Sequence, residues 1–373
     1  MKRALIMPLL KMNSGHHHVA DSVVQVISDH YKCEKIELLS YTFGKGESIL
    51  SNVYLKWITF SPSFYSSVYR RIALPSKEGS VPFKFYEKLF LNNMRKILME
   101  YQPDLVICTH ALPSFLLQSM KRRGETHVPV LNIYTDYFIN DLWGTDGIDL
   151  HFIPDEPFVE RLKKKNVPEA NIMTTGIPTD PAIGTVDRRT HKNKAKYKII
   201  ISGGSQGTGR IERFIHMLKP GGRIDYRVLC GKNKKLYENI KQMNNRNIQA
   251  HSYIEDKSEL NDLYEEADGI ISKPGGVTVT EGLMKRLPTF IYDFLPGQEE
   301  YNFIYLQQQN LVQDLRDWRW IEEQLVQFLD DGKSFEALQD AIEDYHTRRT
   351  TQEILQTISN SISNHEREKI NAK

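Results

Sequence analysis

Short apolar runs alternate with stretches of helical periodicity along most of the chain, and a glycine-bearing loop follows the first strand of each of two such series. In the first series, residues 3–10 read as a strand, MNSGHHH as a loop and 19–30 as an amphipathic helix. Further strands are expected at 35–39, 104–109, 129–134 and 150–153, with helices over 84–101 and 112–123. Short strands that are apolar throughout, rather than at alternate positions, are buried on both faces. Interleaved with helices, they imply a parallel sheet covered on both sides.

After Gly176-Ile177-Pro178 the pattern breaks, and residues 184–196 are polar, basic and nearly free of apolar side chains, as in a linker. A second series then begins with a strand at 197–201 and a glycine loop, followed by a helix at 209–218 and a strand at 226–230. It continues with helices at 234–244, 258–267 and 277–286, between strands at 247–251, 269–272 and 289–292. Residues 317–365 are helical in pattern, and 366–373 are expected to fray. The fold class read from this is α/β, with two Rossmann-like parallel-sheet domains facing a cleft. The expected divisions are 1–180, a linker at 181–196, a second domain at 197–350, and a C-terminal helix and tail at 351–373.

Composition adds mostly exclusions. At 373 residues the chain exceeds a single typical core. A net charge of +2 supplies no basic excess, so a nucleic-acid partner is not expected. Cys33, Cys108 and Cys230 have no paired spacing, which fits a reducing cytosol and argues against a disulfide framework or a zinc site. The apolar run Ala4 to Leu10 lacks a following cleavage site and reads as a buried first strand rather than a signal peptide. No run approaches the roughly 20 apolar residues of a spanning helix, so any membrane contact would be peripheral.

One segment breaks the rhythm. Residues 52–99 interleave aromatics (Tyr54, Trp57, Phe60, Phe64 and others) with eight Lys or Arg against two Glu. Rings at headgroup level and cations for anionic lipid are what an interfacial segment needs. An ordinary helical insert with its aromatics facing the core has the same periodicity.

The densest chemical signal is SKPGGVTVTEG, residues 272–282, after an apolar strand. Gly275 and Gly276 allow close backbone approach to a ligand, and the helix expected to follow would turn its unpaired N–H groups and positive dipole end toward the loop. That end suits a diphosphate. Glu281, one turn further in, is suited instead to the two hydroxyls of a ribose. A second strand–glycine loop–helix, SGGSQGTGR at 202–210, presents Gly204, Ser205 and loop amides to an anion. Its spacing fits neither the dinucleotide fingerprint nor a P-loop. In DFLPGQEEYN, Gln298 and Glu299 offer directional hydrogen bonds to sugar hydroxyls. For each of the three, a structural turn or an ordinary helix start is the plainer alternative.

Taken in order, GGSQG, CGK (230–232), SYIED (252–256), KPGGVTVTE and LPGQEEYN resemble the C-terminal domain of processive diacylglycerol glucosyltransferases and monogalactosyldiacylglycerol synthases (glycosyltransferase family 28). GGSQG with its following Arg-Ile is also similar to the N-acetylglucosaminyltransferase that makes lipid II. In the first half, Ser14-Gly15-His16 followed by Val19-Ala20 resembles the family's Gly-His loop. Asn132 to Tyr137 with Trp143 resembles its T-D-[FY]…W segment, and Gly176-Ile177-Pro178 its interdomain motif.

The resemblance implies a GT-B fold, a first domain that binds the acceptor and a second that binds a UDP-sugar. It places Gly275, Gly276 and Thr278 on the diphosphate, Glu281 on the ribose, Gln298 and Glu299 on the sugar, and Ile254 beside the uracil through its backbone. It implies no cofactor and no metal. An inverting transfer needs a base for the acceptor hydroxyl, and His16 is the candidate, with Asp136 as an alternative base or as its orienting group. Consecutive His16, His17 and His18 cannot readily chelate one ion from a single face.

The expected activity is transfer of a hexose, with UDP-glucose as the expected donor, to a lipid such as diacylglycerol by a cytoplasmic enzyme peripheral on the inner face of the cell membrane. Three positions depart from the family pattern: Asn140 in place of a His, Asp180 in place of an Arg, and Ser252 in place of a Gly. The first two fall near the acceptor side and leave a non-lipid small molecule or peptide open as acceptor. A non-catalytic UDP-sugar sensor and a UDP-sugar epimerase are the readings from other classes.

Overall fold

The computed structural model describes residues 1–9, 15–43, 81–186, 193–207, 209–349 and 356. The chain forms two compact units, Met1–Pro178 with Thr347–Lys373, and Thr179–His346. Among the described residues each unit is built on a six-stranded sheet whose recorded pairings are all parallel.

In the first unit the strands are β1 (Lys2–Met7), β2 (Tyr31–Lys35), β3 (Leu105–Cys108), β4 (Val130–Ile133), β5 (Leu150–Ile153) and β6 (Ile172–Thr174), in the order β2-β1-β3-β4-β5-β6. β3, β4 and β5 are buried at every position, as their unbroken apolar runs require. Around them lie helices α1 (Gly15–Ile27), α2 (Leu38–Phe43), α3 (Val81–Tyr101), α4 (Ala111–Arg122) and α5 (Phe158–Lys163).

Two expectations for this half are corrected. The strand expected at 35–39 lies at Tyr31–Lys35, where residues 31–35 pair in register with Lys2–Ile6. The apolar pair Leu38-Leu39 that suggested a strand is instead buried from the short helix α2. The Gly-His stretch is not a loop throughout, since α1 starts at Gly15 and carries all three histidines in its first turn. Of the aromatic and basic segment 52–99, residues 52–80 lie outside the described residues. In the remainder, Phe90, Leu91, Met94 and Ile97 of α3 are buried, while Leu89 and Met99 are exposed.

The second unit runs β7 (Tyr197–Ser202), α6 (Ile211–Met217), β8 (Ile224–Leu229), α7 (Lys234–Gln242), β9 (Ile248–His251), α8 (Lys257–Glu266), β10 (Gly269–Ser272), α9 (Gly276–Met284), β11 (Thr289–Ile291), α10 (Gln298–Gln308), β12 (Gln313–Asp314), α11 (Ile321–Asp330) and α12 (Gly332–Thr347). The strand order is β12-β11-β10-β7-β8-β9. Counted from β7 as the first strand, that is the 3-2-1-4-5-6 order of a dinucleotide-type sheet. Ile183, from the stretch read as a linker, is buried here beside Ile200 and Tyr264, so the start of that stretch belongs to this core. Residues 187–192 lie outside the described residues. The patterned stretch from 317 divides into a short 3-10 turn at Trp318–Trp320, then α11 and α12.

Both sheets reverse direction at their first strand. In the first unit the chain passes from β1 to β2 on one side and continues with β3 on the other. In the second it passes from β7 to β8 and β9, and resumes with β10 on the opposite side. Beyond the carboxyl ends of strands that flank such a reversal, the connecting loops diverge and leave a crevice, which is where open α/β sheets bind ligands. Two crevices are thus fixed by topology alone, one beyond Met7 and Cys108, the other beyond Ser202 and Ser272.

Candidate active-site residues in the two units

His16 stands at the first of these crevices, half-buried in the opening turn of α1. Its Nδ1 is 2.9 Å from the backbone oxygen of Thr109, just past β3, and 2.8 Å from Oγ1 of Thr135, just past β4. The Thr135 hydroxyl lies 3.2 Å from Oδ2 of Asp136 and donates to it. These contacts select one tautomer. A carbonyl oxygen can only accept, so Nδ1 carries the proton and Nε2 keeps its lone pair. Burial lowers the His16 pKa from its ordinary value, against the opposing pull of the Asp136 charge and the Thr109 hydrogen bond. The ring is therefore a neutral base at neutral pH. His16 and Asp136 are brought together through Thr135, which the reading of the sequence had not assigned; its place between them in the T-D-Y motif was the available signal.

A second imidazole also went unassigned. His110 follows Thr109, and its ring centroid lies 5.0 Å from that of His16 in an edge-on contact. Its Nδ1 accepts the backbone N–H of Leu112 at 3.1 Å and so caps α4.

The loop 134–144 is held from beneath. Asn132 Nδ2 donates to the backbone oxygen of Gly144 at 2.8 Å, and the Tyr134 hydroxyl lies 3.0 Å from Nδ1 of buried His151. Burial pushes His151 down to about 4, so this network stays uncharged. Tyr134 also packs on Trp143 with ring centroids 4.5 Å apart, which joins the two ends of the T-D-Y…W segment.

The second crevice gathers both glycine loops. Ser202 and Ser272 are register partners at the ends of β7 and β10, so Gly204 and Ser205 leave one strand beside Gly275 and Gly276 leaving its neighbour. Gly275 takes the extended N-cap position of α9, and Gly276 is its first helical residue, one position earlier than expected. Thr278 lies in the first turn and is half-exposed. The first 3 to 4 amides of that helix have no intrahelical partner, which favours an anion there. Asn302, fully buried on α10, donates from Nδ2 to the backbone oxygen of Pro274 at 3.0 Å and so anchors the loop.

The first loop is tied just as closely. At Gly207, with φ +56°, an added Cβ would stand 2.0 Å from the Cys230 carbonyl oxygen, so this turn excludes side chains. Lys232 N donates to the Ser205 oxygen at 3.0 Å, which fixes CGK against SGGSQG.

Glu281, in the second turn of α9, is buried and accepts a hydrogen bond from Tyr264 at 2.9 Å. Its pKa is raised by burial, partly offset by Lys257 and the Tyr264 hydroxyl. Ile254 is half-buried and packs against the cluster that contains Tyr264. Gln298 and Glu299 open α10, after a turn at Gly297 with φ +102°. Glu299 receives the backbone N–H of Leu295 at 2.7 Å and the Lys273 ammonium at 3.1 Å. Lys273, unassigned from sequence, follows β10, and its Nζ lies 3.9 Å from where a Cβ on Gly209 would stand, so a half-buried cation sits beside both glycine loops. The residues around His16 and those around Glu281 belong to separate units.

Comparison with known proteins adds the following. A family model described as monogalactosyldiacylglycerol (MGDG) synthase matches residues 16–179. The chain is 44% identical to the glycosyltransferase YkoN of Bacillus subtilis (strain 168) over 319 residues, 85% of each chain. It is 24% identical to the processive diacylglycerol beta-glucosyltransferase of the same organism over 376 residues, 96% of this chain and 94% of the relative. Among solved structures, Acinetobacter baumannii MurG superposes with a TM-score of 0.55 at 14% identity, covering 97% of this chain and 99% of that one.

Proposed function

This chain belongs to the monogalactosyldiacylglycerol synthase family of glycosyltransferases and has the GT-B fold, and from that premise we propose that it transfers a hexose from a UDP-sugar, UDP-glucose first among them, to the hydroxyl of a lipid acceptor such as diacylglycerol. The observation that carries this reading is that each unit has its own topological crevice: in the first, one built around a neutral imidazole base, and in the second, one built around a glycine-capped helix end with a buried carboxylate behind it. The relatives named for diacylglycerol support the choice of acceptor class.

In the proposed reaction, the second unit holds the nucleotide. Gly275, Gly276 and Thr278 meet the diphosphate, with Gly204 and Ser205 on the neighbouring loop. Glu281 accepts the ribose hydroxyls, the backbone at Ile254 borders the base, and Gln298 and Glu299 take sugar hydroxyls. The first unit supplies the base. As the acceptor oxygen bonds to the anomeric carbon, its proton passes to His16 Nε2. Asp136 and the Thr109 carbonyl stabilise the imidazolium that forms. The bond between the anomeric carbon and the UDP oxygen breaks on the opposite face, which inverts the centre. Negative charge growing on UDP is met by the α9 amides and by Lys273, so the reaction needs no metal or cofactor.

Among the described residues no helix is long and apolar enough to cross a membrane. We place the protein at the inner face of the cell membrane, peripherally bound, because the proposed lipid acceptor would be met there. The direct test is UDP release by the purified protein from UDP-glucose, with and without diacylglycerol in mixed micelles. Release that depends on diacylglycerol supports the reading. Release with a water-soluble acceptor and none with lipid would replace it by the non-lipid reading that Asn140 and Asp180 leave open. Co-sedimentation with anionic vesicles tests the membrane contact separately.

A further inference from the structure

Capping α4 uses only one of the two ring nitrogens of His110. Its Nδ1 is committed to the Leu112 N–H, so in the neutral ring the proton sits on Nε2. His16 has the complementary state, with the proton on Nδ1 and a lone pair on Nε2. The two rings meet edge-on at 5.0 Å, at the crevice between β1 and β3. Among the described residues, neither Nε2 has a hydrogen-bond partner. Side by side, the crevice offers one nitrogen that accepts a proton and one that donates.

Resting on the transferase reading above, we propose that His110 is an acceptor-binding residue: its Nε2–H holds an oxygen on the carbon next to the reacting hydroxyl, so the site selects alcohols with a neighbouring oxygen. Two oxygens on adjacent carbons lie about one hydrogen-bond length apart, a span that two rings with centroids 5.0 Å apart can serve together. The reacting hydroxyl gives its proton to His16, while the neighbouring ether, ester or hydroxyl oxygen accepts from His110. The groups that bear on this pair are Asp136, whose charge favours protonation of His16, and His17, which opposes it. His110 itself is held well below its ordinary pKa by burial and by His16, so it stays a neutral donor.

The test uses the full chain with UDP-glucose and two acceptors in the same mixed micelles: a 1,2-diacylglycerol, with an ester oxygen beside its free hydroxyl, and a long-chain primary alcohol with none. His110→Asn and His110→Ser both retain a side-chain oxygen that caps α4, so they separate the cap from the imidazole. The wild type is expected to favour diacylglycerol by about 10-fold or more in kcat/KM. Both variants should lose most of that preference, with diacylglycerol falling far more than the plain alcohol, while the melting temperature and UDP affinity hold. His16→Ala should depress both acceptors together. An unchanged preference, or an equal fall for both acceptors in folded variants, overturns the proposal alone. Absence of transfer to either acceptor by the wild type overturns the transferase reading and this inference with it.

Discussion

The hydroxyl of Tyr264 lies 2.9 Å from Oε2 of Glu281, and both side chains are buried. A carboxylate in that setting is held in place by one hydrogen bond and disfavoured by its surroundings, as the upward shift of its pKa records. Such an arrangement suits ligand recognition better than stability, because the desolvated acceptor is already aimed when a ligand arrives. The raised pKa means the folded protein holds this proton more tightly than the unfolded chain does. Stability is therefore fullest below the ordinary carboxylate pKa and is lost as pH rises through the folded value.

Glu281→Gln keeps an acceptor for Tyr264 and removes the buried charge. It should raise the melting temperature at neutral pH relative to the parent, with the difference vanishing in acid. UDP affinity should fall about 10-fold, since an amide offers one acceptor where the ribose wants two. Thermal melts across pH and titration calorimetry with UDP would check both halves. A variant that melts lower at neutral pH would show that the charge is stabilising after all.

On the proposed reaction, the acid limb of the rate profile should be set by His16. Its pKa is lowered, chiefly by burial, so the base form persists below the usual histidine range and kcat/KM should drop only as pH falls beneath it. Asp136 pulls that value upward. Asp136→Asn should accordingly move the limb to still lower pH while reducing the plateau. His16→Ala should cost about 10²–10⁴-fold in kcat with UDP binding intact. A limb that moves to higher pH in Asp136→Asn would exclude the assigned electrostatics.

Asn302 reaches from α10 to the carbonyl oxygen of Pro274 at 3.0 Å in a buried setting. Asn302→Ala strands that carbonyl and should destabilise the protein by about 1–3 kcal/mol. UDP affinity should weaken in parallel, because the loop carrying Gly275 and Gly276 loses its anchor. Chemical denaturation and calorimetry on the same preparation would separate the two effects. Equal UDP affinity in a destabilised variant would mean the loop is fixed by other contacts.

Gly207 has the most restrictive backbone environment of the site, with no room between it and the Cys230 carbonyl. Gly207→Ala forces the SGGSQG turn away from CGK, and its positive φ adds strain. A loss of more than about 2 kcal/mol is expected, with reduced soluble expression. Gly204 also has a positive φ, yet an added Cβ there meets nothing within 4 Å. Gly204→Ala should be the milder of the pair, and a reversed ranking by thermal melt would argue against the described turn.

The sequence by itself determined the class of fold and pointed to candidate residues for both crevices. Unbroken apolar strands such as β3 and β10 announce a covered parallel sheet, because each must bury both faces. The glycine loops, Glu281, Gln298 and His16 were visible because each sits in a short, distinctive motif. Local pattern failed where burial came from elsewhere. Leu38-Leu39 is as apolar as a strand but packs from a helix, and β12 is two residues long and held by its pairing with β11. Tertiary structure alone decided which residues meet. Thr109, His110 and Thr135 reach His16 across about 90 to 120 positions of chain, and Tyr264, Asn302 and Lys273 join Glu281, Pro274 and Glu299 through strand order and helix packing. A motif records what one stretch of chain needs for its own backbone and ligand. The partner that sets a tautomer or a pKa is chosen by topology, which brings distant strand ends side by side.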